Sequence, residues 1–293
     1  MKTLPKSVLR FASFSLASAI LAAPPAHAGA WTQPPGSLYA RLTYAGINSQ
    51  TRFDADGECR SLEPRFAFAA RDGATEYRAR EARVYAEYGL VERFTTYGSL
   101  TYKSVVMEEP VVKSTNSGFG DLMLGGRYRV LGGRVPFCLA SELKIPTGYS
   151  RDSTPSLGAG DMAYTVRGLA GASWGWLYTT GDAGWTHRGG NYPNEYIYSA
   201  EVGGTLPGRL SWRSVLRGVR STERESDQNR GARFDPERAS SRYATVDGVL
   251  GIPIFPGLLM ETGISHVLEG QNALAGNSLE IGFAWSGAVG RSP

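Results

Sequence analysis

Gly171-Ala172-Ser173-Trp174-Gly175 has the G-x-S-x-G spacing of a nucleophile elbow. Such an elbow holds its serine on a sharp turn between a strand and a helix, with an acid and a histidine downstream. Here a short turn and another strand-like segment follow, so glycine-rich turn chemistry accounts for the match. The histidines are His27, His187 and His266. Neither His187 nor His266 has a serine two residues further on, and no oriented nucleophile–base pair emerges. No catalytic residue is assigned, and the expectation is a protein that is not an enzyme. Asp54, Asp56 and Glu58 form a carboxylate cluster, and Asp227 to Gly231 has a similar composition. Neither completes the twelve-residue calcium loop with its terminal glutamate. Histidine pairs without a cysteine cluster do not make a structural zinc site. We therefore expect no metal and no cofactor.

The remaining charges are more informative. Strand side chains alternate between two faces. On that alternation Arg83, Arg127, Arg129, Arg167, Arg213 and Arg217 share a face with Glu87, Asp121, Glu142, Asp182, Glu201, Asp247, Glu261 and Glu280. A one-residue slip would reverse any one strand. Inside a barrel these residues could form a paired network that fills and rigidifies the lumen. They could also be a lining that orders a permeating solute.

The elements that would position them are strands. Gly118 to Val130 puts Asp121, Met123, Arg127 and Arg129 on one side and Leu122, Leu124, Tyr128 and Val130 on the other. Phe137 to Ile145 and Ser278 to Trp285 repeat this pattern. Similar segments start near Ser37, Glu76, Phe94, Asp161, Trp176, Glu195, Leu210, Ser241 and Leu258. That makes about twelve strands of roughly ten residues, the length that crosses a bilayer at a tilt. Connections alternate between short, such as Leu90 to Arg93 and Leu206 to Arg209, and long. The expected long loops are Asn48 to Thr75, Met107 to Ser117, Pro146 to Gly160 and Thr222 to Ser240. Tyr88, Tyr97, Tyr102, Trp174, Trp176, Trp185, Trp212 and Trp285 fall near strand ends, as interface girdles require. The expected fold is all-β: a single antiparallel up-and-down transmembrane barrel of about twelve strands, spanning residues 29–293. A secreted soluble β protein shares the alternation but has no need of the short–long rhythm.

Residues 1–28 read as a signal peptide. Lys2, Lys6 and Arg10 precede the apolar run Phe11 to Ala23, and Ala26-His27-Ala28 is a cleavage site. Cleavage near Ala28/Gly29 lowers the formal charge from +4 to +1, with 28 basic residues against 27 acidic. That balance excludes a dedicated nucleic-acid binder. The mean hydropathy of −0.24 excludes a polytopic helical membrane protein. Cys59 sits in a long loop, and Cys138 follows a short turn at the opposite end. A hydrocarbon core of about 30 Å separates those ends. A disulfide needs Cα atoms within about 7 Å, so no bond is expected.

Gly118-Phe119-Gly120-Asp121, Leu143-Lys144-Ile145-Pro146-Thr147-Gly148 and Leu157-Gly158-Ala159-Gly160-Asp161 resemble outer-membrane barrels named after the meta-pathway of phenol degradation. Glu87 to Thr95 and Gly181 to Trp185 fit the same pattern, and the stretch Gly29 to Gly36 looks like the mature start of many exported barrels. The resemblance covers most of residues 29–293 and rests on strand and turn grammar. It implies an outer-membrane channel or facilitator for small aromatic or apolar compounds, placed by the barrel-insertion machinery. Outer-membrane lipid and lipopolysaccharide are the implied surroundings, and Arg224, Arg230, Arg233 and Arg238 suit lipopolysaccharide phosphates. One departure is that Trp285 is followed by Ser286 to Pro293, whereas many such barrels end on the last aromatic. Phe53, Phe66 and Phe68 make the first long loop apolar enough to fold inward as a constriction. The alternative is a structural or interaction barrel, in exopolysaccharide export or adhesion, with a lipid hydrolase third.

Overall fold

The computed structural model describes residues 29–64, 73–150, 152–190, 192–223, 234–237 and 241–289. The expected signal peptide, Phe66, Phe68 and the four loop arginines 224, 230, 233 and 238 lie outside them, as do Asp227 to Gly231. Twelve strands close a barrel in which each neighbouring pair is antiparallel. In chain order they are β1 (Ser37–Ser49), β4 (Glu76–Val91), β5 (Phe94–Glu108), β6 (Lys113–Leu131), β7 (Phe137–Ile145) and β8 (Ala163–Trp174). They continue as β9 (Leu177–Arg188), β10 (Glu195–Thr205), β11 (Ser211–Ser221), β12 (Arg242–Phe255), β13 (Leu258–Gln271) and β15 (Asn277–Ala288). β15 pairs with β1 from Ser37↔Ala288 to Ile47↔Ser278, so no edge is left open. Full closure matters in lipid, where an unpaired backbone group costs several kcal/mol. The short strands β2 (Thr51–Phe53), β3 (Cys59–Ser61) and β14 (Ala273–Leu274) form a separate sheet among the connections at one end.

The outward face is an apolar belt. Leu42, Tyr44, Val84, Leu124, Tyr128, Leu139, Leu250, Ile264, Leu279, Ile281 and Phe283 are all exposed. In water such a surface would be an aggregation hazard, whereas against hydrocarbon it is the stable arrangement. Six connections lie at the loop end of the barrel and five tight turns at the turn end.

Two expectations are corrected. Met107 to Ser117 is not a long loop, because β5 and β6 stay paired as far as Glu108↔Lys113 and leave only a turn between them. The polar run Lys113 to Ser117 carries no apolar alternation, so the strand there is visible only through its pairing. Tyr97 is not an interface residue. It is buried and faces inward with Thr95, and its hydroxyl donates to Glu142 at 3.1 Å.

The larger buried apolar cluster lies inside the loop end, and a smaller one of Ala30, Cys138, Ala140 and Leu169 lies at the turn end. In the larger cluster Tyr77 and Ala79 of β4 and Val105 and Met107 of β5 face inward. Leu62 and Leu157 come down on them from the loops, with Ile47, Tyr149, Phe234 and Leu274 packed around. The 146–162 loop is seated by Thr147, whose hydroxyl donates to the Gly120 carbonyl at 2.8 Å. Asn116 Nδ2 donates to the Pro155 carbonyl at 2.9 Å. This loop covers the part of β6 that runs beyond its pairing with β7.

Candidate functional site

The lumen is ringed by charges drawn from nearly every strand. Glu261 on β13 is almost fully buried and accepts from two arginines. Arg41 Nε lies 2.6 Å from it, and Arg213 Nη1 also 2.6 Å. Arg41 reaches Glu280 at 2.8 Å with its other arm. The two bonds to Glu261 each step over an intervening strand, β15 and β12, which the concave side of a barrel permits. Three strands further round the wall, on β4, Glu87 is fully buried. It accepts from Arg127 Nη2 at 2.8 Å and from the Tyr85 hydroxyl at 2.6 Å. Arg167 bridges Glu142 at 3.3 Å and Asp182 at 3.2 Å. The Tyr178 hydroxyl donates to Glu201 at 2.5 Å. Arg217 pairs with Asp247, and Arg83 with Glu81. Asp121 accepts from the Tyr149 hydroxyl and lies 4.0 Å from Lys144. Arg129 sits at the turn end and donates to the Glu92 carbonyl at 3.1 Å. These side chains face inward, and most of the arginines and acids pair with one another. Charges removed from water need such partners.

A strap crosses the turn end. The Cys138 thiol on β7 donates to the Ala30 carbonyl at 2.9 Å. Trp31 meets Tyr178 of β9 edge-on, with centroids 6.2 Å apart. The Gln33 backbone amide donates to Thr95 Oγ1 at 2.8 Å, and its side chain donates to Glu87 at 3.0 Å. Gly36 N–H donates to the Gly89 carbonyl at 2.8 Å, just before β1 begins. Gly29 lies against Thr180 of β9. Since β9 is six strands from β1 in either direction round the barrel, residues 29–35 span the lumen from wall to wall. Two glycines make room for the strap. A Cβ on Gly89 would stand 2.0 Å from the Pro34 carbonyl oxygen, and one on Gly171 would stand 2.7 Å from the Trp31 ring. The first glycine of the G-x-S-x-G match is therefore a notch for Trp31. Ser173 ends in a turn into strand β9, with no helix behind it.

Between strap and cap the lumen holds a cavity of about 260 Å³. Arg83, Arg217, Glu81, Asp247 and Glu280 line it, with Ala45, Ile47 and Ala79.

No family model matches the chain, and no curated protein matches it in sequence. Solved structures do match. The COG4313 outer membrane channel from Pseudomonas putida F1 superposes with a TM-score of 0.67 at 14% identity, over 87% of this chain and 97% of that one. The KdgM porin gives 0.51 at 8% identity, over 85% of this chain and 99% of that one. This is the fold of an outer-membrane β-barrel.

The barrel places the other candidates away from the lumen ring. His187 and His266 face outward, each bonded through Nδ1 to an asparagine, Asn194 at 2.9 Å and Asn277 at 2.7 Å. Asp54 caps its own turn, its Oδ1 accepting from the amides of Asp56 and Glu58 at 2.9 and 3.0 Å. Arg60 pairs with it at 2.8 Å. Desolvation would raise the Asp54 carboxyl, but those amides and Arg60 outweigh it and hold it below the usual carboxylate range. Among the described residues no three potential ligands come together around a metal position. Phe53 lies in β2 over Gly270, and from the same loop it is Leu62 that enters the buried cluster. Cys59 is exposed and free, and Cys138 is buried and free. The strap was missed in the sequence. Its signals were Pro34-Pro35, which have no N–H to donate to a ladder, and Gly89 and Gly171 in otherwise regular strands.

Proposed function

We propose that the protein is a passive outer-membrane channel for small solutes, aromatic or apolar compounds among them. The observation that carries this reading is the cavity. A space lined by two arginines and three acids lies inside a barrel whose outside is apolar and whose ends are nearly closed. A barrel serving only as an anchor has no need of it. On this reading the loop end faces outward among lipopolysaccharide and the turn end faces the periplasm, as in known barrels of this type. The chain acts without a cofactor and without chemistry of its own. It reaches the membrane after export and signal cleavage, and the barrel-insertion machinery places it there. The test is single-channel conductance of the purified protein in planar bilayers, with liposome swelling in a panel of aromatic and sugar solutes. Discrete conductance with uptake of small aromatics supports the channel.

One observation favours a second reading. Glu87, Glu261 and Arg127 are buried and ion-paired, as a rigid scaffold would have them. A structural or interaction barrel, in polysaccharide export or adhesion, would be electrically silent. A lipid hydrolase would release a product from vesicles.

A further inference from the structure

The charges around the cavity are not equally open. Five acids and bases meet there: Arg83, Arg217, Glu81, Asp247 and Glu280. The side chains of Arg83 and Arg217 are 51% and 57% exposed. The acids are drawn back, Asp247 at 9%, Glu81 at 26% and Glu280 at 28%. Each acid is turned towards a cation in the wall: Asp247 to Arg217, Glu81 to Lys103 and Arg83, Glu280 to Arg41. Formal charge is thus close to balance, while the surface shown to the cavity is guanidinium.

Arg83 and Arg217 also have donors to spare. Arg83 spends Nε on Thr101 and Nη2 on Glu81. Arg217 pairs with Asp247 through Nη2. A guanidinium has five N–H donors in a planar fork that matches a carboxylate. The rest of the wall is small and mixed. Ala45, Ile47 and Ala79 are apolar, and Ser265 and Ser278 are polar. Ile47 and Ala79 belong to the capping cluster as well, so the apolar side of the cavity lies directly under the loops. A volume of about 260 Å³ is just below the roughly 300 Å³ at which drug-sized pockets begin. It admits one ring with a charged group and excludes a long chain.

We infer that this cavity is a binding site for small organic carboxylates with a single apolar ring, the anionic group held by Arg83 and Arg217 and the ring set against Ile47 and Ala79. The inference rests on the channel reading for its purpose, since it names the solute class at the narrow point of the path. It does not depend on that reading for its chemistry. A carboxylate gains charge-assisted bonds that a neutral isostere cannot make. It also enters without uncovering the acids behind the arginines.

The test is titration calorimetry on the detergent-solubilised full-length protein, with benzoate, benzyl alcohol and benzylammonium as probes. Planar-bilayer current is recorded under the same three probes. Benzoate is expected to bind at least tenfold more tightly than benzyl alcohol, and benzylammonium not at all. Arg83→Gln with Arg217→Gln should weaken benzoate at least tenfold, and Arg83→Lys with Arg217→Lys should recover part of the loss. Folding of each variant is checked by its heat-dependent shift on a denaturing gel. The probe comparison on the unaltered chain stands even if a variant does not fold. Equal binding of benzoate and benzyl alcohol, preference for benzylammonium, or unchanged affinity in a folded double glutamine variant would overturn the inference. Discrete conductance alongside any of these leaves the channel standing without the anion site. Arginine-dependent benzoate binding in an electrically silent barrel leaves the site standing and removes the channel.

Discussion

The two ends of the lumen are closed by different mixes of chemistry. At the loop end the closure is apolar: Leu62 and Leu157 bury themselves on Tyr77, Ala79, Val105 and Met107. At the turn end it is mostly polar and sparse, its apolar part confined to Ala30 of the strap against Cys138, Ala140 and Leu169. The strap is held by separate hydrogen bonds to Thr95, Glu87 and Cys138, by one edge-on aromatic contact, and by two glycine notches. Apolar burial is non-directional and adds over area, so the cap belongs to the cooperative core. Single hydrogen bonds contribute only about 1 kcal/mol net each. The cap should therefore resist removal, and the strap should yield to local changes without unfolding the barrel.

The sharpest way to break this contrast is to cut into the cap. Leu157→Ala should lower stability by about 2–5 kcal/mol, the usual range for a buried leucine. The urea midpoint of the folded band on a cold denaturing gel reports it. No change would mean the loop rests on the wall without contributing to it.

At the other end, Gly89→Ala sets a methyl against the Pro34 carbonyl. The strap must lift there, at a cost of about 1–3 kcal/mol for overpacking. Single-channel conductance should rise several-fold, while a cap mutant leaves the turn end as it was. A folded Gly89→Ala barrel with unaltered conductance would show that the strap does not limit the passage.

Gln33→Ala is a finer probe. It removes one bond to Glu87 while Arg127 and Tyr85 remain on that carboxylate. The expected loss is about 1 kcal/mol. Tryptophan fluorescence of Trp31 should shift more than the unfolding midpoint does.

The smallest effect belongs to the loops. Asp54 has a lowered pKa in the fold, so its contribution is complete above the ordinary carboxylate value near 3.9. It is lost as pH falls through the lower folded value. Hydrogen exchange at the Asp56 and Glu58 amides should stay slow down to about pH 4 and quicken below it. Asp54→Asn should abolish that dependence.

How far the sequence could be read depended on the kind of signal. β8 and β9 were legible because polar and apolar residues alternate in each and a short glycine turn joins them. β7 likewise showed Glu142 and Lys144 opposite Leu139 and Leu143. Tyr97 was misread because an aromatic near a strand end suits an interface as well as a lumen. Tyr97 and Tyr102 are an odd number of residues apart in β5, so alternation puts them on opposite faces, and burial shows that Tyr97 is the inward one. Arg41 was overlooked although it shares parity with Tyr39 and Thr43. Its importance comes from Glu261, which is 220 residues away along the chain.

The sequence by itself determined that strands alternate between lipid and lumen, that about twelve of them follow one another through short and long connections, and which charges share a face. These are period-two properties, set by the geometry of one strand. The tertiary structure alone decided which charges meet, which end carries the apolar closure and which the strap, and that Gly89 and Gly171 are notches. Those outcomes depend on closing the barrel, which brings β1 beside β15 and sets residues 29–35 across to β9. Distances across a closed sheet are not encoded in any local period.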